Sequence, residues 1–540
     1  MARIQKMKHR FLFAFALLLF CFLLSGCQTR VAVETVIVTL EPEEVTAAPA
    51  LTPKPTASPV PAPTQVPTPE KFVSEDMLPQ ENSQIINPKK ATYERFGIDS
   101  ASLKAFEAEV SQNLELPIMH VSTQNGEPVV SLSEYLSCII DVFNCPEEWA
   151  FGEASAGIRV RGNSSGYYGN VEKILQNQVP YRIKFDKKTS LLGLNSGAKC
   201  KSWVLLKANY DLIRNDLALR FGRAIMDGHA FCSDACFVHL YVNETYMGVY
   251  TLCEQCQVDE YRVNVSEPKK NYTGIDIGYY VEIDNIPDYP MAFLVEYGDH
   301  RTRRVTDIEG TSRQFSPADY SVKSDIYTQG QLDFIAQYVR NVFEIVYQAC
   351  EKGRFYTLDE NFDLITAPFS SAQETVENVL DIESVVNMYL LYEIMHDYDV
   401  GEGSFYMCVD FSENSQCRKF QFTSPWDFNW TCEGSASKYW AGTFSEAGFV
   451  GKNGDRTNPW FVLLIKQDWF HRLAAEKWTA LSETNAVSGC IDQEISLMET
   501  YKKDFTSWKS SSVNSAYNVI VWLQKRIKWM DSQFLLSAVQ

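Results

Sequence analysis

Positive charge and histidine are what this chain has least of. Its 49 lysines and arginines are outnumbered by 68 aspartates and glutamates, leaving a formal net charge of −19. Nucleic acid is excluded as a partner, because neutralising phosphates requires a basic face. Only 7 histidines occur in 540 residues, and none stands in an H-E-x-x-H pair, so a zinc hydrolase of that type is excluded as well. No internal repeat is present, and no G-x-G-x-x-G glycine pattern. Proline is sparse outside one stretch: residues 42–88 hold 11 of the 22.

That stretch separates two very different parts. Arg3, Lys6, Lys8 and Arg10 precede an apolar run over 11–24 that is short of the about 20 residues a spanning helix needs, and Leu24-Ser25-Gly26-Cys27 closes it. A basic start, an apolar run and small residues at the end make a signal peptide. Its ending resembles a lipobox, so residues 1–27 are expected to be a lipoprotein signal with Cys27 as the lipidated membrane anchor. Residues 28–90 are expected to be a Pro/Thr-rich disordered stalk, since proline fixes φ, removes donors and favours extended polyproline conformations. Residues 91–540 then form the globular part, extracytoplasmic and rich enough in aromatics (13%) for a large core.

Of the 14 cysteines, 12 lie beyond Cys27. An external location permits disulfides, and they are read as structural thiols or disulfides. Cys232-x-x-x-Cys236 with Cys253-x-x-Cys256 is the alternative zinc set, although the second pair sits in a strand end and not a knuckle turn.

Alternation predicts strands over 117–122, 157–161, 180–185, 203–207, 237–242, 248–253 and 279–283, with Asn243-Glu244-Thr245 as a turn. One helix interrupts them after Asp211, where Leu212, Leu217, Leu219, Phe221 and Ile225 recur at helical spacing. Beyond Gly330 helices dominate. Leu332, Ile335, Val339, Val342, Phe343 and Val346 share a face, 382–395 is a second apolar helix capped by Asp381, and 460–536 is helical throughout. The expected class is α+β, with a β-rich part over about 116–285 and a mainly helical part over about 330–540.

The segment richest in chemistry is His396-Asp397-Tyr398-Asp399-Val400-Gly401-Glu402-Gly403-Ser404. A strand over 405–411 follows it, a second over 419–424 returns, and Pro425-Trp426-Asp427-Phe428-Asn429 comes next. Such a hairpin places Asp399 and Asp427 at one end of a sheet, where two carboxylates can hold Mg²⁺ and a substrate hydroxyl. Two aspartates flanking a hairpin are also common turn residues.

Arg161-Gly162-Asn163-Ser164-Ser165, Pro180-Tyr181-Arg182-Ile183-Lys184-Phe185, Trp203-Val204-Leu205-Leu206, Tyr210-Asp211, Ile213-Arg214-Asn215, Asn243 to Tyr250, Glu254 and Pro425-Trp426-Asp427-Phe428 run in the order of blocks found in one family. On these the chain resembles the CotH spore-coat kinase family over about 116–481. The resemblance implies a protein-kinase-like fold of two lobes, β-rich then helical. It also implies transfer of the ATP γ-phosphoryl group to Ser or Thr of a surface or coat protein, with Mg²⁺ or Mn²⁺. Asp399 would be the catalytic carboxylate, with Asp427 and Ser404 on the metal. Arg161 and its glycines would cover the phosphates, and Lys184 or Lys207 would contact them. Asp211 would hold the lysine or simply cap its helix. Arg214 would reach a phosphate or substrate, or lie on the surface, and Glu254 would mark the link between lobes. The chain departs from the family pattern at Ser404, Asn429 and Gln178. A weakly active or inactive pseudokinase that binds surface proteins or glycan is therefore the competing expectation.

Overall fold

The computed structural model describes residues 72, 76–78, 90–208, 212–298, 303–413, 415, 417–443 and 457–535. The leader, Cys27, most of the stalk and Asp211 lie outside the described residues.

The first seven strands are β1 (Ile118–Thr123), β2 (Leu136–Phe143), β3 (Phe151–Val160), β4 (Tyr181–Thr189), β5 (Cys200–Lys207), β6 (Ala235–Val242) and β7 (Thr245–Glu254). They close into a barrel of order β1-β2-β3-β4-β5-β7-β6. The closing seam is a parallel pairing of β1 with β6, with Ile118 opposite His239. Alternation explains which side faces in. On β4, Tyr181, Ile183 and Phe185 are buried while Arg182 and Lys184 are half-buried, because successive side chains point to opposite faces. The inward set includes Met119, Val121, Ile140, Ile158, Ile183, Trp203, Tyr250 and Leu252. Each such aliphatic contributes about 1.5–3 kcal/mol by leaving water.

The outer face of β5 and β7 faces a different core. Val204, Leu206 and Cys253 pack with the apolar side chains of the helical part. Helix α2 (Arg214–Met226) follows β5 and buries Leu217, Phe221 and Ile225. A second sheet, of order β16-β15-β8-β12-β9, combines β8 (Gly278–Ile283), β9 (Ala292–Val295), β12 (Ala318–Val322), β15 (Phe405–Asp410) and β16 (Gln421–Thr423). Two short hairpins, β10 (Arg304–Thr306) with β11 (Ser312–Gln314) and β13 (Tyr356–Leu358) with β14 (Leu364–Thr366), lie outside it.

Helix α1 (Ser100–Ser111) precedes the barrel. Helix α3 (Gln329–Tyr347) starts in a capping box, Thr328 with Gln331, which satisfies two of the amides a helix start leaves open. Short helix α4 (Ala372–Val379) leads to α5 (Ile382–Met395), whose Asp381 cap accepts from Ser384 N at 3.2 Å. Every residue of α5 from Ser384 to Met395 is buried, as expected of a helix apolar all round. Helices α6 (Asp468–Glu483), α7 (Ala486–Thr500) and α8 (Lys502–Phe534) close the chain.

The structure is thus a mixed α+β fold, a β-rich N-terminal part and a helical C-terminal part, as the sequence leads one to expect. The closed seven-stranded barrel is an addition to that expectation. The twelve described cysteines are free thiols, and among the described residues no group of three or more His, Cys, Asp or Glu is arranged to hold a metal ion. The zinc alternative therefore receives no support. Cys408 and Cys417 come closest to a pair, with their sulfurs 3.8 Å apart.

Asp504 on α8 locks the barrel to the last helix. It accepts from Glu115 N (2.8 Å) and Leu116 N (2.7 Å) and sits 3.1 Å from His239 Nε2. Burial pushes its carboxyl up, but these donors outweigh it and hold the group below the usual range. Asp504→Ala is expected to cost about 2–4 kcal/mol at neutral pH, because the buried Leu116 N and His239 ring, and the part-buried Glu115 N, lose their acceptor. A carboxyl depressed in the folded state stabilises fully above its unfolded value, about pH 4, and loses that contribution as pH falls. Urea titrations should show the parent–variant difference shrinking on acidification; a difference below 1 kcal/mol at pH 7 would show that the lock is immaterial.

Candidate functional site

The β15–β16 pairing sets Tyr406 opposite Thr423 and Cys408 opposite Gln421. Antiparallel strands so registered bring Ser404, before β15, and Ser424, after β16, to the same sheet end. The two loops that leave this end carry Asp399 and Asp427. Both loops are built from unusual backbone. His396 (φ 56°), Ser404 (φ 53°), Ser424 (φ 53°), Asp427 (φ 63°) and Cys432 (φ 56°) are all left-handed. Each costs about 1–2 kcal/mol for a residue bearing a Cβ. Such strain persists only where surrounding contacts over-determine it.

For Asp427 those contacts are visible. Asn429 Nδ2 donates to Asp427 Oδ1. Asn429 Oδ1 accepts from Asn215 Nδ2 at 2.8 Å, Asn215 Oδ1 accepts from Phe428 N at 3.0 Å, and Arg214 Nη1 donates to Asn429 O at 3.3 Å. The first turn of α2 therefore grips the Asp427 loop. Arg214 also faces Glu433 at 3.6 Å. Sequence reasoning placed Arg214 toward a phosphate or the surface, and the structure places it on this loop.

Two cations converge on Asp427. Burial pushes its carboxyl above the usual range, while Arg161, the Asn429 amide and Lys207 pull it back. Lys207 ends β5, donates to Ser165 O at 3.3 Å and lies 5.3 Å from the Tyr167 ring. Burial lowers its pKa and Asp427 opposes that. Arg161 sits over the Trp426 ring at 5.2 Å. The loop after Arg161 folds over this group. Gly162 has φ 79°, and a Cβ on Gly166 would lie 2.5 Å from the Gly162 carbonyl, so glycine is required at both. Gln178 ties the backbone beyond Lys207. Its Oε1 accepts from Ala208 N at 3.2 Å, and its Nε2 donates to Val249 O at 2.8 Å.

The remaining sequence candidates divide. Asp399 heads a tight turn, its carbonyl accepting from Glu402 N (2.9 Å) and Gly403 N (3.2 Å), while its N donates to Asp397 Oδ1 at 3.1 Å. Lys184 lies on the outer face of β4, where burial and the charges of Arg182 and Lys201 lower its pKa. Of the two strand lysines it is Lys207 that faces Asp427. Glu254 is wholly buried. Asp234 N (3.1 Å), Asn195 Nδ2 (3.2 Å) and Arg262 Nε (3.4 Å) take up its carboxylate, so the structure gives it a structural partner set at the barrel's end.

Sequence reasoning missed Tyr392. Its buried hydroxyl lies 3.5 Å from Ser404 O, beside the Asp397 and Asp427 carboxylates that, after burial, raise its pKa. It joins the two loops from below. Its position within an apolar helix gave no signal of this. The aromatics near the site are largely packed on one another. Tyr398 and Trp430 stack at 5.0 Å and 8°, and Trp440 and Tyr398 are buried, so no open coplanar platform of the kind that favours glycan is present among them.

Among curated proteins no relative matches this chain. The family model described as CotH kinase protein matches residues 158–530, a span that contains the glycine loop, Lys207, the α2 grip and both carboxylate loops. The chain therefore belongs to the CotH kinase family.

Proposed function

We propose that the chain is an extracytoplasmic kinase of two-lobed, protein-kinase-like architecture. It is held to the membrane through lipidated Cys27 and transfers the γ-phosphoryl group of ATP to Ser or Thr of a surface or coat protein. The convergence of Lys207, Arg161 and Asp427 beneath a glycine loop, in a member of the CotH kinase family, carries this reading. Phosphoryl transfer is mostly positioning and charge neutralisation. Lys207 and Arg161 supply cations for the phosphates, and the loop from Arg161 to Gly169 supplies backbone above them.

The donor set fits Mg²⁺, or Mn²⁺, because such an ion is held by one or two carboxylates together with substrate phosphates and water. Asp427, fixed by Asn429, would be the carboxylate, and Ser404 is the second oxygen at the same sheet end. When bound, the ion neutralises charge on the phosphate oxygens. Asp399 takes the proton of the substrate hydroxyl as its oxygen bonds to the γ-phosphorus and the bridging oxygen leaves with ADP.

Thermal unfolding of the purified full-length chain is expected to show a rise in midpoint that requires ATP and Mg²⁺ together, since a ligand of the folded state stabilises it. Asp427→Asn should abolish that rise and leave the unliganded midpoint within about 2 °C, because removing a carboxylate that burial disfavours costs little. Absence of any shift at millimolar nucleotide, with Mn²⁺ also tried, would replace the kinase reading with a binding module.

Asp399→Asn separates chemistry from binding. It should keep the nucleotide-dependent shift while lowering transfer of radiolabelled phosphate to protein about 10²–10⁴-fold. Parental activity in that variant would remove Asp399 from the role of base.

A further inference from the structure

Arg182 on β4 stands directly opposite Arg159 on β3 and Val204 on β5. Directly opposed residues share a face, and like charges so placed destabilise a sheet. Arg159 is accommodated, since its Nη1 donates to Leu132 O and Val160 O and its guanidinium covers the Tyr135 ring at 5.3 Å. Arg262, on the same side, has Glu254 at 3.4 Å and donates to Ser202 O at 2.8 Å. Arg161 faces Asp427. Arg182 alone of these four has no hydrogen bond and no ion pair among the described residues, and its Nε is buried without a partner. Burial holds its guanidinium below the ordinary arginine value; Tyr135 opposes this, and the charges of Arg159, Arg161 and Arg262 add to it.

A guanidinium whose Nε is buried without a partner, set among three like charges, costs stability in the free protein. An anion in this place removes that cost, and arginine's planar fork suits phosphate oxygens. The neighbour Arg161 already reaches the Asp427 group. We infer that Arg182 is an additional phosphate-binding residue, anchoring the polyphosphate tail of the nucleoside triphosphate from the barrel side through its guanidinium. This rests on the kinase reading for the identity of the anion, but not for its charge.

The test pairs the full-length parent with Arg182→Met and Arg182→Lys, titrated with ATP, AMP and inorganic triphosphate in the presence of Mg²⁺. In Arg182→Met, ATP and triphosphate affinity should fall about tenfold or more, as expected for a charge-assisted contact, with AMP affected less than threefold. Its unliganded melting midpoint should rise, because a half-buried cation with a partnerless Nε, set among like charges, has been removed. Arg182→Lys should lie between the two, and serves if the methionine variant fails to fold. Parental ATP and triphosphate affinity in either variant would overturn the inference, as would a lowered unliganded midpoint with all three affinities unchanged. Should the parent bind triphosphate through Arg182 but not ATP, the anion site would stand and the kinase reading would fall.

Discussion

The buried ion pair between Glu393 and Arg526 is the constraint on which the site depends. Both side chains are wholly buried, a costly arrangement unless every lone pair and proton is used. Here the pair is heavily engaged. Arg526 Nη2 meets Glu393 Oε1 at 2.5 Å, Nε donates to Glu393 O at 2.9 Å, and Nη1 donates to Ala436 O and Lys438 O. The Glu393 oxygens also accept from Trp440 N at 2.6 Å and Ala441 N at 3.1 Å. Three distant pieces of chain, the end of α5, the segment 436–441 and α8, are thereby fixed to one another. Loss of either partner would leave a charge with no water and no counter-ion.

The consequence reaches the chemistry because α5 ends two residues beyond Glu393. His396 turns left-handed there and stacks on Trp440 at 3.4 Å between ring centroids. Burial and then the charges of Arg526 and Lys438 push its imidazole down to about 2, so it is a neutral packing group at any physiological pH. From this fixed point the chain turns through Asp397 and Asp399 to Ser404. Rigid anchoring upstream is what allows the loop to hold several left-handed residues, and a loop so held positions its carboxylates with little reorganisation.

Much of this was legible in the sequence where local pattern and tertiary demand agree. The 382–395 helix, its Asp381 cap and the strand–turn–strand between two aspartates follow from periodicity and capping alone. β2 was not read, and neither was closure of the barrel, because pairing β1 with β6 joins segments more than a hundred residues apart and no local signal encodes it. The choice between the two lysines stays open in the sequence for a related reason. Lys184 and Lys207 both sit in strands, and only the register and the strand ends decide which one reaches Asp427. The buried partner set of Glu254 is not legible because Arg262 comes from an irregular segment. Arg182 lies in the Pro180–Phe185 motif, but its crowding by like charge exists only once β3 and β4 are paired.

The neutral amides Asn429 and Gln178 also make joint physical sense. An acid at position 429 would set a second negative charge against Asp427, whose ionised form burial already disfavours. Asparagine instead donates to that carboxylate and is itself keyed by Asn215 on α2, so the loop is fixed without added repulsion. Gln178 is likewise uncharged, and both ends of its amide bond the backbone around Lys207. Each amide makes a hydrogen bond that fixes a neighbouring charged residue or the backbone beside it. The site retains one well-held carboxylate among cations, a balance that favours a ligand bringing both a divalent cation and several negative oxygens at once.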